Sequence, residues 1–175
     1  AGLSQHRWAL WSALRFHTAR WRGQLLLRQE VFEGRLVPFT PGIGLECSLL
    51  PQTSLYSNAS RTYRLPTLND LYWQPGGNPN LRPELGWSLE GGLRQRFRKG
   101  AQQLDMSLGY FTQEVQDWII WLPGSAGFWS PENLLAVASR GIEASFKLST
   151  RFRKHQLRLQ TDYAWVKSVH TRVGP

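Results

Sequence analysis

Residues 157–165 read LRLQTDYAW, with Leu157, Leu159, Thr161, Tyr163 and Trp165 alternating with Arg158, Gln160, Asp162 and Ala164. A repeat of two sends successive side chains to opposite faces, the mark of a strand with one apolar and one polar side. The pattern recurs at 142–150 (IEASFKLST), 104–110 (LDMSLGY), 87–94 (WSLEGGLR) and 43–49, and more weakly at 7–16, 21–30 and 54–62. About eight strands are therefore expected.

The connections differ in length. Segments near 17–21, 51–53, 98–102 and 151–156 are short and turn-like, whereas 31–40, 63–86, 122–138 and the part from 166 onward are long. Short and long alternate, so an up-and-down meander would carry turns at one end and large loops at the other, as outer-membrane barrels do. No run approaches the roughly 18 apolar residues of a membrane-spanning helix, which leaves a barrel open. A soluble antiparallel sheet also alternates. Two features favour the membrane. Aromatics gather near strand ends (Trp8, Phe16, Trp21, Trp87, Phe97, Tyr110, Trp118, Trp121, Tyr163, Trp165), as an interfacial girdle requires. The polar face carries Glu90, Arg94, Asp105, Glu143, Lys147, Arg158 and Asp162, suited to a wide, wet or plugged lumen. The expected fold is all-β, an antiparallel up-and-down transmembrane barrel of which about eight strands are present.

The stretch 61–84, RTYRLPTLNDLYWQPGGNPNLRPE, is rich in proline, glycine and asparagine, so it is neither a core helix nor a central strand. Arg64 to Trp73, followed by Gly76 to Glu84, resembles the barrel signature of TonB-dependent outer-membrane receptors, in which a strand rises, turns through "PTlnELY" and returns after "GNpnLkPE". ENLLAVASRGIEAS (132–145) is similar to that family's entry into a later strand, and VQDWIIWLP (115–123) to a strand end. In its finer wording the loop looks most like the vitamin B12 receptor branch.

The resemblance implies a barrel of about 22 strands around a plug. Residues 1–175 would then be a piece of the barrel domain, the plug and final strands lying outside it. It also implies active uptake of a scarce large ligand through the outer membrane of a Gram-negative-type bacterium, driven by the TonB complex acting through the missing N-terminal part. A cobalamin-type corrinoid is the favoured ligand, and a ferric siderophore or haem the alternative. From other classes, a passive porin-like barrel and a soluble carbohydrate-binding β-domain remain open.

Two readings of the loop stand side by side. Asn69, Asp70, Tyr72, Trp73, Gln74 and Asn78 would meet a large polar ligand with aromatic faces and amides, joined by Trp129 from a Gly/Ser/Pro loop. Alternatively the prolines, Pro66 among them, set a compact loop, its aromatics pack within it, and Arg64, Arg82 and Glu84 pair to hold it. Glu143 is expected to face the lumen and to meet either the plug or Arg158.

The formal charge of +9 is spread along the chain without a basic helix or nucleic-acid motif, so no nucleic-acid partner is expected. Cys47 is the lone cysteine, and four scattered histidines lack metal-ligand spacing. No nucleophile elbow or phosphate loop appears, and neither enzymatic chemistry nor a cofactor or metal is expected.

Overall fold

The computed structural model describes residues 6–124 and 127–172. Its strands are β1 (Arg7–His17), β2 (Trp21–Phe32), the two-residue β3 (Arg35–Leu36), β4 (Thr40–Leu50), β5 (Thr53–Arg64), β6 (Glu84–Lys99), β7 (Gln102–Pro123), β8 (Trp129–Phe152) and β9 (His155–Arg172). One short helix, α1 (Leu68–Tyr72), lies between β5 and β6. The long strands form one antiparallel meander in the order β1-β2-β4-β5-β6-β7-β8-β9, with β3 paired to β2. This is the expected all-β, up-and-down wall of eight long strands.

Three expected boundaries move. The long connection at 122–138 shrinks to residues 124–128, because β7 continues to Pro123 and β8 starts at Trp129. Trp129, read as a loop residue, therefore opens a strand. From 166 onward the chain stays in β9 as far as Arg172, and the loop expected over 63–86 occupies 65–83. The asymmetry of the two ends persists, with short turns joining β1 to β2, β4 to β5, β6 to β7 and β8 to β9.

Directly paired residues share a face, so the register sorts the side chains. One face carries Leu93–Leu108–Ala144–Tyr163 and Phe97–Leu104–Leu148–Leu159, each set running across β6 to β9. On β2, β4 and β5 it carries Leu25–Ile43–Ala59 and Trp21–Cys47–Leu55. Large apolar side chains stay exposed here: Leu108 is 56% and Leu159 52% accessible. A contiguous exposed apolar surface of this extent fits a lipid-facing wall. From Trp87 to Phe97, β6 covers roughly 23 Å of membrane normal at about 3.3 Å per residue and 45° tilt, close to an apolar band of about 25 Å.

The opposite face carries Arg94–Ser107–Ser145–Asp162 and Arg96–Asp105–Lys147–Gln160. Glu46 pairs with Arg22 at 3.5 Å and with Arg94 at 3.4 Å, and Arg96 with Asp105 at 2.6 Å. Tyr56 lies flat on this face beneath the Arg94 guanidinium, 3.9 Å from the ring centroid. Glycines make room for it: a Cβ on Gly92 or Gly109 would stand 2.8 or 2.5 Å from the Tyr56 hydroxyl. The expected Glu143–Arg158 contact does not form. Glu143 stands opposite Ala164 and Arg158 opposite Ser149, because the β8–β9 register separates the two by several residues.

The buried apolar side chains among the described residues, Val37, Ile119, Ala136 and Val137, all sit toward the long-loop end. At that end Glu30, 2% accessible, accepts from Arg7 and the Tyr63 hydroxyl and pairs with Arg28. One extra residue separates the Glu30–Val37 hydrogen bond from the Arg28–Thr40 pair on the β4 side, a bulge that bends the entry to β4.

The face assignment predicts an asymmetric response to charge. In the full-length protein refolded into phospholipid vesicles, Leu108→Arg should cost about 2–4 kcal/mol in urea unfolding. Ser145→Arg, on the lumen face, should cost under about 1 kcal/mol. Equal costs would contradict the assignment.

Candidate functional site

Loop 65–83 begins as a capped turn. Thr67 is the N-cap of α1: its hydroxyl accepts from the Asp70 N–H at 3.1 Å, and the Asp70 carboxylate accepts from the Thr67 N–H at 2.8 Å. This reciprocal capping box satisfies two donors that a helix start leaves free. The second carboxylate oxygen accepts from the Trp121 indole N–H on β7 at 3.0 Å. Asp70 is thereby 7% accessible. Burial pushes its carboxyl up, but the Thr67 amide and hydroxyl, the Trp121 indole and the nearby Arg64 charge outweigh it and hold the group below the ordinary aspartate value.

Further bonds fasten the loop to the tops of β7 and β8. Asn78 donates its amide to the Pro131 carbonyl at 3.1 Å, while its backbone N–H bonds the Asp70 carbonyl at 2.8 Å. The Ser130 hydroxyl donates to the Gly76 carbonyl at 2.9 Å. Asn133 accepts from the Arg82 N–H at 2.9 Å and donates to the carbonyls of Arg82 and Asp117 at 3.0 and 2.6 Å. Arg64 pairs with Glu84, whose same oxygen accepts from the Ile119 N–H at 2.8 Å. Arg82 pairs instead with Asp117 of β7 at 2.6 Å, so the expected Arg64–Arg82–Glu84 cluster is two separate pairs. Trp121, Ile119, Pro131 and Asn133 share one parity on β7 and β8. Trp121, expected in the membrane girdle, falls on this side and braces the loop.

Gly76 and Gly77 let the segments close up. At φ +137° Gly76 is in a region side chains rarely adopt, and a Cβ there would collide with the Trp129 carbonyl oxygen and stand 3.1 Å from the Phe128 ring. A Cβ on Gly77 would lie 2.5 Å from the Trp73 nitrogen. The glycine pair thus stands between Tyr72–Trp73 and Phe128–Trp129. Above this base Asn69 and Gln74 are exposed, as are Tyr72 (53%), Trp73 (54%) and Trp129 (59%), while Asn78 is partly covered and Pro66 half-buried. The arrangement is a rigid aromatic crest with amides at its edge. It holds no nucleophile–base pair, and among the described residues no group of His, Cys, Asp and Glu suits a metal.

A meander with a lipid-compatible face, a charged lumen face and a crest of packed loops defines the wall of an outer-membrane barrel. Residues 1–174 match the model of the TonB dependent receptor-like β-barrel, and the chain belongs to this family. It lies, with the family, in the outer membrane of Gram-negative bacteria. It is 33% identical over 119 residues to the vitamin B12 transporter BtuB of Vibrio vulnificus, covering 67% of this chain and 19% of the relative. To the vitamin B12 transporter BtuB of Photobacterium profundum it is 32% identical over 114 residues, covering 63% and 18%. The chain thus spans about a fifth of the length of these curated relatives. In fold it is similar to the siderophore receptor PirA from Pseudomonas aeruginosa (TM-score 0.73, 16% identity, 93% of this chain and 32% of that one). It also resembles the copper transporter OprC (TM-score 0.64, 19% identity, 93% and 28%).

The capping box predicts a pH signature. A lowered folded-state value means that Asp70 contributes stability above the ordinary aspartate range, about pH 3.9, which is lost as pH falls through its folded value. Limited proteolysis of the full-length protein should show cleavage within 65–83 rising below about pH 4. Asp70→Ala should show it at neutral pH, with about 1–2 kcal/mol lost locally. Protection that is unchanged in Asp70→Ala would remove the brace from the account.

Proposed function

We propose that the parent protein is a TonB-powered outer-membrane receptor that takes up a cobalamin-type corrinoid, and that the crest of Tyr72, Trp73 and Trp129 forms part of its outer ligand mouth. One observation carries the choice of ligand. The arginines flanking the crest have their charge offset by carboxylates, Arg64 by Glu84 and Arg82 by Asp117. What is left to meet a ligand is aromatic faces and the amides of Asn69 and Gln74. Such a surface suits a bulky ligand of low net charge that stacks and hydrogen-bonds, and it offers little to a strongly anionic ferric catecholate, for which paired cations are poor partners. The resemblance to the two BtuB proteins points the same way.

In this reading residues 1–175 are about a third of a 22-stranded wall. The lumen face, with Glu46, Glu90, Arg94, Asp105, Glu143, Lys147 and Arg158, meets a plug carried elsewhere in the parent. A concavity of about 400 Å³ lined by Arg22, Glu46, Arg94, Arg96, Asp105 and Lys147 supplies polar footholds for it. Asp70 and Asn78 act beneath the crest by holding its shape, and the wall performs no bond chemistry.

The test is equilibrium binding of cyanocobalamin and a ferric-siderophore panel to the full-length parent in detergent. Cyanocobalamin should bind tightly, and Trp73→Ala or Trp129→Ala should each weaken it about tenfold or more, as loss of an aromatic anchor does. Siderophore binding without corrinoid binding would overturn the ligand assignment. Corrinoid binding that survives both substitutions would leave the crest as architecture.

A further inference from the structure

The lipid-facing side carries one feature that spanning a membrane does not require. Arg140 of β8 and Lys167 of β9 are directly paired in the register, so two cations face each other across neighbouring strands on the outward face. Thr112 of β7 is the register partner of Arg140 on its other side. The row Thr112–Arg140–Lys167 thus sets a hydroxyl, a guanidinium and an ammonium on three adjacent strands, about 4.8 Å apart.

Its height is set by what lies one step below on the same strands: Tyr110, Ile142 and Trp165, which are 51%, 43% and 49% accessible. Tyrosine and tryptophan at the end of an apolar band mark the depth of the lipid headgroups. The row stands on the side of that belt toward loop 65–83, the outer side. A like-charge pair directly opposite is unfavourable on a sheet unless an anion lies between. Among the described residues neither Arg140 nor Lys167 forms an ion pair or a side-chain hydrogen bond. The nearest carboxylate on this face is Glu114, diagonal to Arg140 and opposite Ala138, and it forms no bridge with it. Arg61, also outward by register, is differently placed, 5.9 Å over the Trp87 ring and bonded to the Phe39 carbonyl at 3.4 Å.

From this juxtaposition we infer that Thr112, Arg140 and Lys167 form a binding site for the phosphate of an outer-leaflet glycolipid headgroup, the lipid's chains lying against the apolar face below. Phosphate supplies the charge that the opposed cations lack, arginine and lysine can both donate to one such group, and the Thr112 hydroxyl adds a third donor. Held there, the lipid would fix the depth and tilt of β8 and β9 beside the crest.

The full-length receptor, purified in non-ionic detergent and verified as folded by heat-modifiable electrophoresis, is titrated with diphosphorylated lipid A and with dephosphorylated lipid A, binding being read by native mass spectrometry. The Arg140→Ala/Lys167→Ala double variant should bind the diphosphorylated lipid roughly 30-fold more weakly, Lys167→Arg should stay near wild type, and the dephosphorylated lipid should bind all three alike. Equal binding of diphosphorylated lipid A by wild type and folded double variant overturns the site. So does an equal loss with the dephosphorylated lipid, which would assign the contact to acyl chains. Should the double variant fail to fold, Lys167→Gln supports the site with a loss of about fivefold and overturns it with none.

Discussion

Hydrocarbon offers no hydrogen bonds, so the backbone of any segment that crosses it must satisfy its N–H and C=O groups within the protein. Between β1 and β9 the antiparallel ladder meets that demand, each inner long strand pairing with a neighbour on both sides. The ladder fixes direction, so alternate connections fall on one end. It fixes register, so the period of two in the side chains becomes two chemically opposed faces. A slip of one residue would turn Leu93, Leu108 and Tyr163 inward and Arg94 and Asp162 into lipid. Sorting of charge between the faces therefore protects the ladder as much as the ladder displays the charge.

Where the membrane ends, this constraint relaxes, and there the sequence becomes harder to read. Between Leu104 and Tyr110, or Leu157 and Trp165, each side chain answers to lipid or lumen and the alternation is plain. Above the belt both sides of β7 and β8 meet water or protein, so residues 115–123 and 129–138 stay in strands without announcing it. Pro131 and the glycines at 124 and 127 read as loop chemistry, yet Pro131 is fully buried in a strand. Trp121 looks like a girdle residue because position alone cannot separate a tryptophan facing lipid from one donating its indole N–H to a carboxylate. Its partner lies 51 residues earlier in the chain.

The loop illustrates the reverse case. The spacing Thr67-x-x-Asp70 before Leu71 is a capping-box pattern, and a short carboxylate at its third position signals inward duty rather than ligand contact. That signal is present in the sequence. The contacts that make the loop rigid are not, because Asn78–Pro131, Ser130–Gly76 and Arg82–Asn133 each join residues more than fifty positions apart.

Together these bonds divide the labour of loop 65–83 between an inner and an outer layer. The inner layer uses every strong polar group it has: Asp70, Glu84, Arg64 and Arg82 are each matched with a donor or a countercharge. Asp70, the buried member of this set, costs little only because it is satisfied, and the arginines have their charge offset by carboxylates. The outer layer holds its aromatic faces out on a base too well braced to collapse over them. Tyr72, Trp73 and Trp129 stay more than half exposed because the glycines beneath them admit the neighbouring backbone and leave no hollow for a ring to fold into. Keeping apolar rings in water costs free energy, which in the proposed ligand mouth burial against an incoming ligand would recover. On that proposal a braced loop would give the ligand more than a soft one, since little conformational freedom remains to be lost on binding.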